Sequence, residues 1–307
     1  MIAGDRLPSI PERYPLSCQW ELTCRCNLRC VMCYTDCFNR PEKVRNELPT
    51  DDILRIMDEI ADAGCIELAL TGGEPFARPD FFEIYDHAKA RGFLVTLFTN
   101  GTLITEAIAD RLAALPPHLI EISLHGLTEQ TFELVTQGHG SYERCLKAIG
   151  LLRERTLPLL LKTTAMTVNK DEVLAIKRYV NGLQEGAYTV GYKLGENMRP
   201  TLAGSDEPGL LGLSEEELAD INRQDSQLWA EACRQATQPA LPCRSGEQRF
   251  HIDAYGQLQL CSGNRTQSYD LRQGSFVEGF YHYLPTFPCS WKVAPQLSLI
   301  QPSARHA

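Results

Sequence analysis

The chain has 307 residues, of which 43% are apolar and 22% charged, proportions of a globular protein long enough for one large α/β domain with a smaller one appended. Its formal net charge of −9 argues against general nucleic-acid binding, which calls for a basic surface, but leaves room for a local basic pocket facing an acidic or peptidic substrate. No apolar run approaches membrane-spanning length and residues 1–15 lack the apolar core of a signal peptide, so a cytoplasmic protein without a membrane partner is expected.

In chain order, residues 17–23 read as a strand that runs into a cysteine-rich loop. Residues 51–63 carry Ile53, Ile56, Met57 and Ile60, the i, i+3, i+4, i+7 stripe of an amphipathic helix. A strand over 66–70 ends in Gly72-Gly73. Helices over 79–91, 104–114, near 128–136, 141–154 and 170–182 then alternate with strands over 93–98, 119–124, 158–166 and 187–194. Such alternation predicts βαβ units and a parallel sheet.

The strands also indicate the kind of sheet. Ile120, Ile122 and Leu124 alternate with Glu121 and Ser123; Cys18, Trp20 and Leu22 alternate with Gln19, Glu21 and Thr23; Lys162 and Thr164 share a face. One sheet face is therefore polar and the other is covered by helices. Six strands are countable, so a partly open, TIM-like barrel with a polar lumen fits better than a filled eight-stranded core. Residues 195–214, rich in Gly and Pro, look like a linker or lid, and 215–236 like a helix. After Pro242 short strands surround Tyr255-Gly256. The expected divisions are an N-terminal extension (1–16), the barrel (17–195), a linker and helix (196–239) and a small C-terminal domain with a tail (240–307), the tail after Pro295 poorly ordered.

Twelve cysteines are many for a reducing compartment, where disulfides are rare, and six fall between Cys18 and Cys37. Cys26, Cys30 and Cys33 form a C-x3-C-x2-C run directly after a strand. Three thiolates on one loop can hold three irons of a 4Fe–4S cubane and leave the fourth iron open for a chelating ligand. A structural zinc site is the competing reading, with Cys24 or Cys37 as fourth donor. Gly72-Gly73-Glu74-Pro75 ends the second strand; its glycines permit close backbone approach and Glu74 can accept hydrogen bonds from an ammonium group.

Cys26–Cys33 with the adjacent aromatic Tyr34 resembles the signature loop of the radical S-adenosylmethionine (SAM) superfamily, and Gly72-Gly73-Glu74-Pro75 resembles its SAM-amino motif. The resemblance implies a partial (β/α)6 barrel and a 4Fe–4S cluster on Cys26, Cys30 and Cys33, with SAM chelated to the open iron through its amino and carboxylate groups. It also implies reductive cleavage of SAM to a 5′-deoxyadenosyl radical and an electron donor such as flavodoxin or ferredoxin. SAM contacts are expected at Tyr34, Gly72, Gly73, Glu74, Asn100, Ser123, Lys162 and Thr164, all near strand ends where the sites of βα folds gather. Hydration of one polar lumen residue by another is the bland alternative for Ser123, Lys162 and Thr164. His125 is a candidate for proton transfer.

Cys243, Gly256 and Cys261 make a C-x12-G-x4-C hairpin that resembles the opening of the SPASM or twitch extension, which holds auxiliary iron–sulfur clusters. The dense cysteine block that continues a full SPASM domain is missing, so a shortened, twitch-like domain with one auxiliary cluster on Cys243, Cys261 and Cys289 is expected. Its fourth ligand is left open: Cys233 is nearest in sequence but sits in a helical pattern where a buried structural cysteine is the commoner outcome, and a fourth iron left open to bind substrate is the sharper alternative. Cys18, Cys65 and Cys145 read as core; Cys24 and Cys37 read as structural, with hydrogen-atom donation the sharper alternative.

The expected function is maturation of a ribosomally synthesised peptide by thioether formation, carbon–carbon crosslinking or epimerisation, with a separate protein to bind the leader peptide. A dehydrogenase or cyclase of a small-molecule intermediate is the second reading, and a non-catalytic metal-binding regulator the third.

Overall fold

A computed structural model describes residues 13–35, 40–185, 188–196, 198–237 and 243–289. Six parallel strands come first: β1 (Ser17–Glu21), β2 (Glu67–Thr71), β3 (Leu94–Thr99), β4 (Leu119–Ser123), β5 (Leu159–Thr164) and β6 (Val190–Gly195). The helices are α1 (Pro41–Val44), α2 (Thr50–Asp62), α3 (Phe81–Ala90), α4 (Glu106–Ala114), α5 (Glu129–Thr136), α6 (Ser141–Glu154), α7 (Val173–Gly182), α8 (Glu215–Arg223) and α9 (Ser226–Thr237). The C-terminal segment adds β7 (Arg249–Ile252), β8 (Gln257–Gln259) and β9 (Tyr269–Asp270). Cys37 and the tail beyond Cys289 lie outside the described residues.

The sheet order is β6-β5-β4-β3-β2-β1-β7-β8-β9, parallel from β6 to β7 and antiparallel across β7, β8 and β9. Strands β1 to β6 lie side by side in sequence order. Right-handed crossovers between such neighbours put every connecting helix on the same face, so the opposite face is left to line a lumen. Among the described residues strand β6 forms the far edge of the sheet and does not pair back to β1. The barrel is thus open, as the strand count implied.

Strand alternation sets the two faces. Cys18, Trp20, Leu68, Leu70, Val95, Leu97, Ile120, Ile122 and Leu161 are buried under the helices, together with the stripe Ile53, Ile56, Met57 and Ile60 of α2. Burying a side chain of this size contributes about 1.5–3 kcal/mol. Gln19, Phe98, Glu121, Ser123, Lys162 and Thr164 face the cavity. Helix starts are fixed locally: Thr105 and Thr128 accept from the backbone N–H groups of Ile108 and Thr131, and Ser214 and Glu217 form a reciprocal capping box. Among the element boundaries that differ from the sequence reading, three stand out. β1 ends at Glu21, where the chain turns into the cysteine loop; β6 begins only at Val190; and the helix expected over 215–236 breaks between Arg223 and Ser226. At that break Asp225 accepts from the N–H groups of Gln227 and Leu228 and pairs with buried Lys177, so a new helix starts there. Among the described residues no helix is long and apolar enough to cross a membrane.

Candidate functional site

Beyond β1 the chain stays laced to the end of β2. Leu22 N–H donates to Thr71 O (2.8 Å), Gly73 N–H to Thr23 O (2.8 Å) and Glu74 N–H to Arg25 O (2.7 Å). A Cβ on Gly73 would sit 2.3 Å from Arg25 O and 2.9 Å from Cys26 Cβ, and one on Gly72 (φ +147°) 2.5 Å from Thr23 O. Only glycine allows this contact, which seats the turn directly on the stem of the cysteine loop. The far side of the loop is held by α5: Arg29 N–H donates to Thr136 O (3.0 Å) and Val31 N–H to Val135 O (2.9 Å), and Leu28 is buried. Cys33 N–H closes a turn onto Cys30 O (3.0 Å). Backbone contacts on both flanks thus present Cys26, Cys30 and Cys33 to one cavity of 1570 Å³.

The thiols raise one another's pKa, which marks their proximity. Burial pushes Cys26 up to about 12, with Glu74 and Cys33 adding to it, and pushes Cys30 up, with Cys33 and Cys26 adding. Yet among the described residues of this loop no three candidate ligand atoms lie within 4.8 Å of one another. A tetrahedral zinc with Zn–S near 2.3 Å requires sulfurs about 3.8 Å apart. The wider spread suits thiolates on separate irons of one cubane, and that group's charge would reverse the pKa shifts. Cys24, the proposed fourth zinc donor, is buried with its Sγ 3.3 Å from Tyr255 Oη.

Gly72, Gly73, Tyr34, Asn100, Ser123, Lys162 and Thr164 all line the same cavity, as does His125. Glu74 is fully buried behind it. Its carboxylate accepts from Thr99 Oγ1 (2.8 and 3.0 Å), Asn100 N (2.8 Å) and Phe76 N (3.2 Å), and burial pushes its pKa up to about 7. Glu74 therefore braces the turn that carries Asn100, and the cavity face of the motif is the glycine pair. Asn100 Nδ2 donates to Asn27 Oδ1 (3.0 Å) and lies 4.0 Å from Cys26 Sγ. His125 is buried, its Nδ1 accepts the Thr164 N–H (3.2 Å), and burial and Lys162 hold its pKa down at about 3. It is a neutral backbone acceptor, which weighs against the proton-transfer role. Lys162 Nζ lies 3.4 Å from Glu121 Oε1.

Sequence reasoning missed a polar cluster at the rim. Tyr34 Oη donates to Glu21 Oε1 (3.4 Å), and Arg199 and Arg265 each stand 5.7 Å from the Tyr34 ring centroid. Arg265 also donates to both oxygens of Glu21 (2.9 and 2.5 Å). The alternation of β1 had placed Glu21 on the lumen face; Arg265, in a turn after Cys261, carried no signal.

Of the C-terminal cysteines, Cys261 and Cys289 are half-buried and Cys243 is exposed. Asn264, bridged to Cys261, donates its Nδ2 to Pro288 O (2.9 Å) and so draws the Cys289 segment to the Cys261 turn. Cys233 is half-buried on α9; Cys18, Cys65 and Cys145 are in the core.

Residues 20–180 match the family model of the radical SAM superfamily. The chain is 36% identical over 171 residues to the AdoMet-dependent heme synthase of Methanosarcina barkeri, covering 56% of this chain and 48% of that protein. It is 34% identical over 159 residues to the PqqA peptide cyclase of Granulibacter bethesdensis, covering 52% and 42%. The chain thus spans about half the length of these curated relatives or less. The fold is shared with Streptococcus suis SuiB bound to precursor peptide SuiA (TM-score 0.66, 16% identity, 88% of this chain and 65% of that chain). With its family model matched over more than half its length, the chain belongs to the radical SAM superfamily, and with that family come a 4Fe–4S cluster and SAM.

Proposed function

We propose that the chain is a radical SAM enzyme that abstracts hydrogen from a ribosomally synthesised peptide and thereby matures it, by thioether formation, carbon–carbon crosslinking or epimerisation. The observation that carries this reading is the convergence of Cys26, Cys30 and Cys33 with Gly72 and Gly73 on one cavity. At 1570 Å³ that cavity exceeds the 300–1,000 Å³ usual for a small-molecule pocket, leaving room for a bulky substrate beside SAM. The peptide named with SuiB and the peptide cyclase among the relatives support the substrate class.

Cys26, Cys30 and Cys33 would hold the cluster, which when bound supplies the electron that splits SAM to a 5′-deoxyadenosyl radical. The chain's own residues do the rest. Gly72 and Gly73 leave backbone open to the methionyl part of SAM. Glu74 fixes Asn100 against Cys26. Ser123, Thr164 and Lys162 offer polar contacts along the wall, and Tyr34 offers a ring face. The helix-covered walls shield a reactive intermediate from water. Residues 17–195 form this SAM-cleaving unit, and 240–307 carry an auxiliary cluster on Cys243, Cys261 and Cys289. An electron donor such as flavodoxin or ferredoxin and a separate leader-binding protein complete the system.

The heme synthase among the relatives favours a second reading, a dehydrogenase or cyclase of a small molecule. Anaerobic incubation with SAM, a reductant and peptides encoded near the gene, followed by mass spectrometry, tests the proposal. A modified peptide with 5′-deoxyadenosine supports it. Turnover of a small biosynthetic intermediate with every peptide untouched favours the second reading.

A further inference from the structure

A second cavity, of 470 Å³, adjoins the first and shares Gln19, Phe98, Lys193, Arg249 and Ser262 with it. It lies toward the N-terminal ends of the strands: Arg249 and Glu67 both stand in register with Ser17 at the start of β1. The cysteine loop follows the opposite end of β1. Cations wanted by the carboxylate of SAM belong beside that loop, so those of this chamber need another explanation.

Its charge is unbalanced. Arg249 has no carboxylate within 4.0 Å among the described residues. Lys193 stands beside Lys162 in the β5–β6 register, and both depend on Glu121, at 3.4 Å from Lys162 and 4.0 Å from Lys193. One carboxylate thus serves two ammonium groups. By contrast, Lys177 and Arg234 on the main cavity are each paired in place, with Asp225 and Glu231. The chamber is also lined by His251, fully buried with Nε2 3.7 Å from Glu21 Oε1, and by Cys261.

We infer that this chamber is a carboxylate-binding subsite for the substrate, with Lys193 and Arg249 as its cationic walls. The inference rests on the reading of the adjoining cavity as the place where substrate reacts, and it specifies that substrate as an acid. Its carboxylate seats at the end of the lumen where β1 begins, and a neighbouring carbon points toward the cysteine loop. A glutamate or aspartate side chain, a peptide C-terminus and a small polycarboxylate share this chemistry.

The test is anaerobic calorimetric titration of the reconstituted protein with four probes. These are N-acetyl-Gly-Glu-Gly-amide, its Gln counterpart, N-acetyl-Gly-Gly with a free C-terminus, and tricarballylate. At least one acid should bind about tenfold more tightly than the Gln peptide, and that preference should vanish in Lys193→Gln and Arg249→Gln. Both side chains are exposed enough for folding to survive. Which acid wins identifies the source of the carboxylate. No preference for any acid overturns the inference, and so does a preference that both variants retain. Loss of iron from the variants overturns it too, since the cations would then serve a cluster. The titration needs no turnover, so a wild-type protein that makes no 5′-deoxyadenosine would defeat the functional proposal and leave this one standing.

Discussion

Arg265 closes on Glu21 with one hydrogen bond to each carboxylate oxygen, joining the turn after Cys261 to the end of β1. Both side chains are largely buried, at 12% and 6% exposure. A buried pair of this kind is sensitive to loss of one member, because the other charge is stranded. Arg265→Met should cost about 3–5 kcal/mol in chemical denaturation. Glu21→Gln combined with Arg265→Met should recover much of that loss.

The same pair sets a dependence on pH. Burial raises the Glu21 pKa, but His251 and Arg265 outweigh it and hold the carboxyl below its ordinary value. A folded-state pKa below the unfolded one gives stability that is present above the unfolded value and lost as pH falls through the folded one. Wild-type protein should therefore lose this contribution below the usual carboxylate range. In Arg265→Met two of the influences that lower the Glu21 pKa are gone while those of His251 and Tyr34 remain, so the loss of stability on acidification should be smaller. Denaturation midpoints measured across acidic pH distinguish the two slopes.

Gly73→Ala places a methyl group 2.3 Å from Arg25 O. Either the turn lifts or the cysteine stem shifts, at a cost of about 1–3 kcal/mol. The expected outcome is a folded protein, unchanged in circular dichroism, that takes up less iron on anaerobic reconstitution and cleaves SAM poorly.

Glu74→Ala orphans the buried donors of Thr99, Asn100 and Phe76. Loss of about 2 kcal/mol or more is expected, with weakened SAM binding because Asn100 is no longer fixed. Equilibrium dialysis with SAM checks the second effect. SAM affinity unchanged in a folded variant would show that Glu74 serves stability alone.

Cys26→Ala, Cys30→Ala and Cys33→Ala should each abolish 5′-deoxyadenosine formation. Cys261→Ala should spare SAM cleavage and stop product formation, read by chromatography of both products. Intact product from Cys261→Ala would refute the role given to the second cluster.

Much of the lumen was legible in the sequence because alternation within a strand is local. Glu121, Ser123, Lys162 and Thr164 face the cavity as their spacing required. The cysteine spacing and the glycine pair were legible for the same reason. Glu74 was not: a carboxylate beside two glycines reads as a ligand, and only the folded turn shows three protein donors already occupying it. The Glu21–Arg265 pair spans residues far apart in the chain, and no periodicity links them. Nor could alternation foresee the second chamber, which exists because β7 docks beside β1.

That docking also shapes how the chain must fold. Strand β1 is made well before β7, so one of its two edges finds its partner only when Arg249–Ile252 has emerged. Until then its unpaired N–H and C=O groups remain a template for any passing strand. A chain stopped before Arg249 would keep that edge bare, and self-association through β1 is the failure to be expected of it.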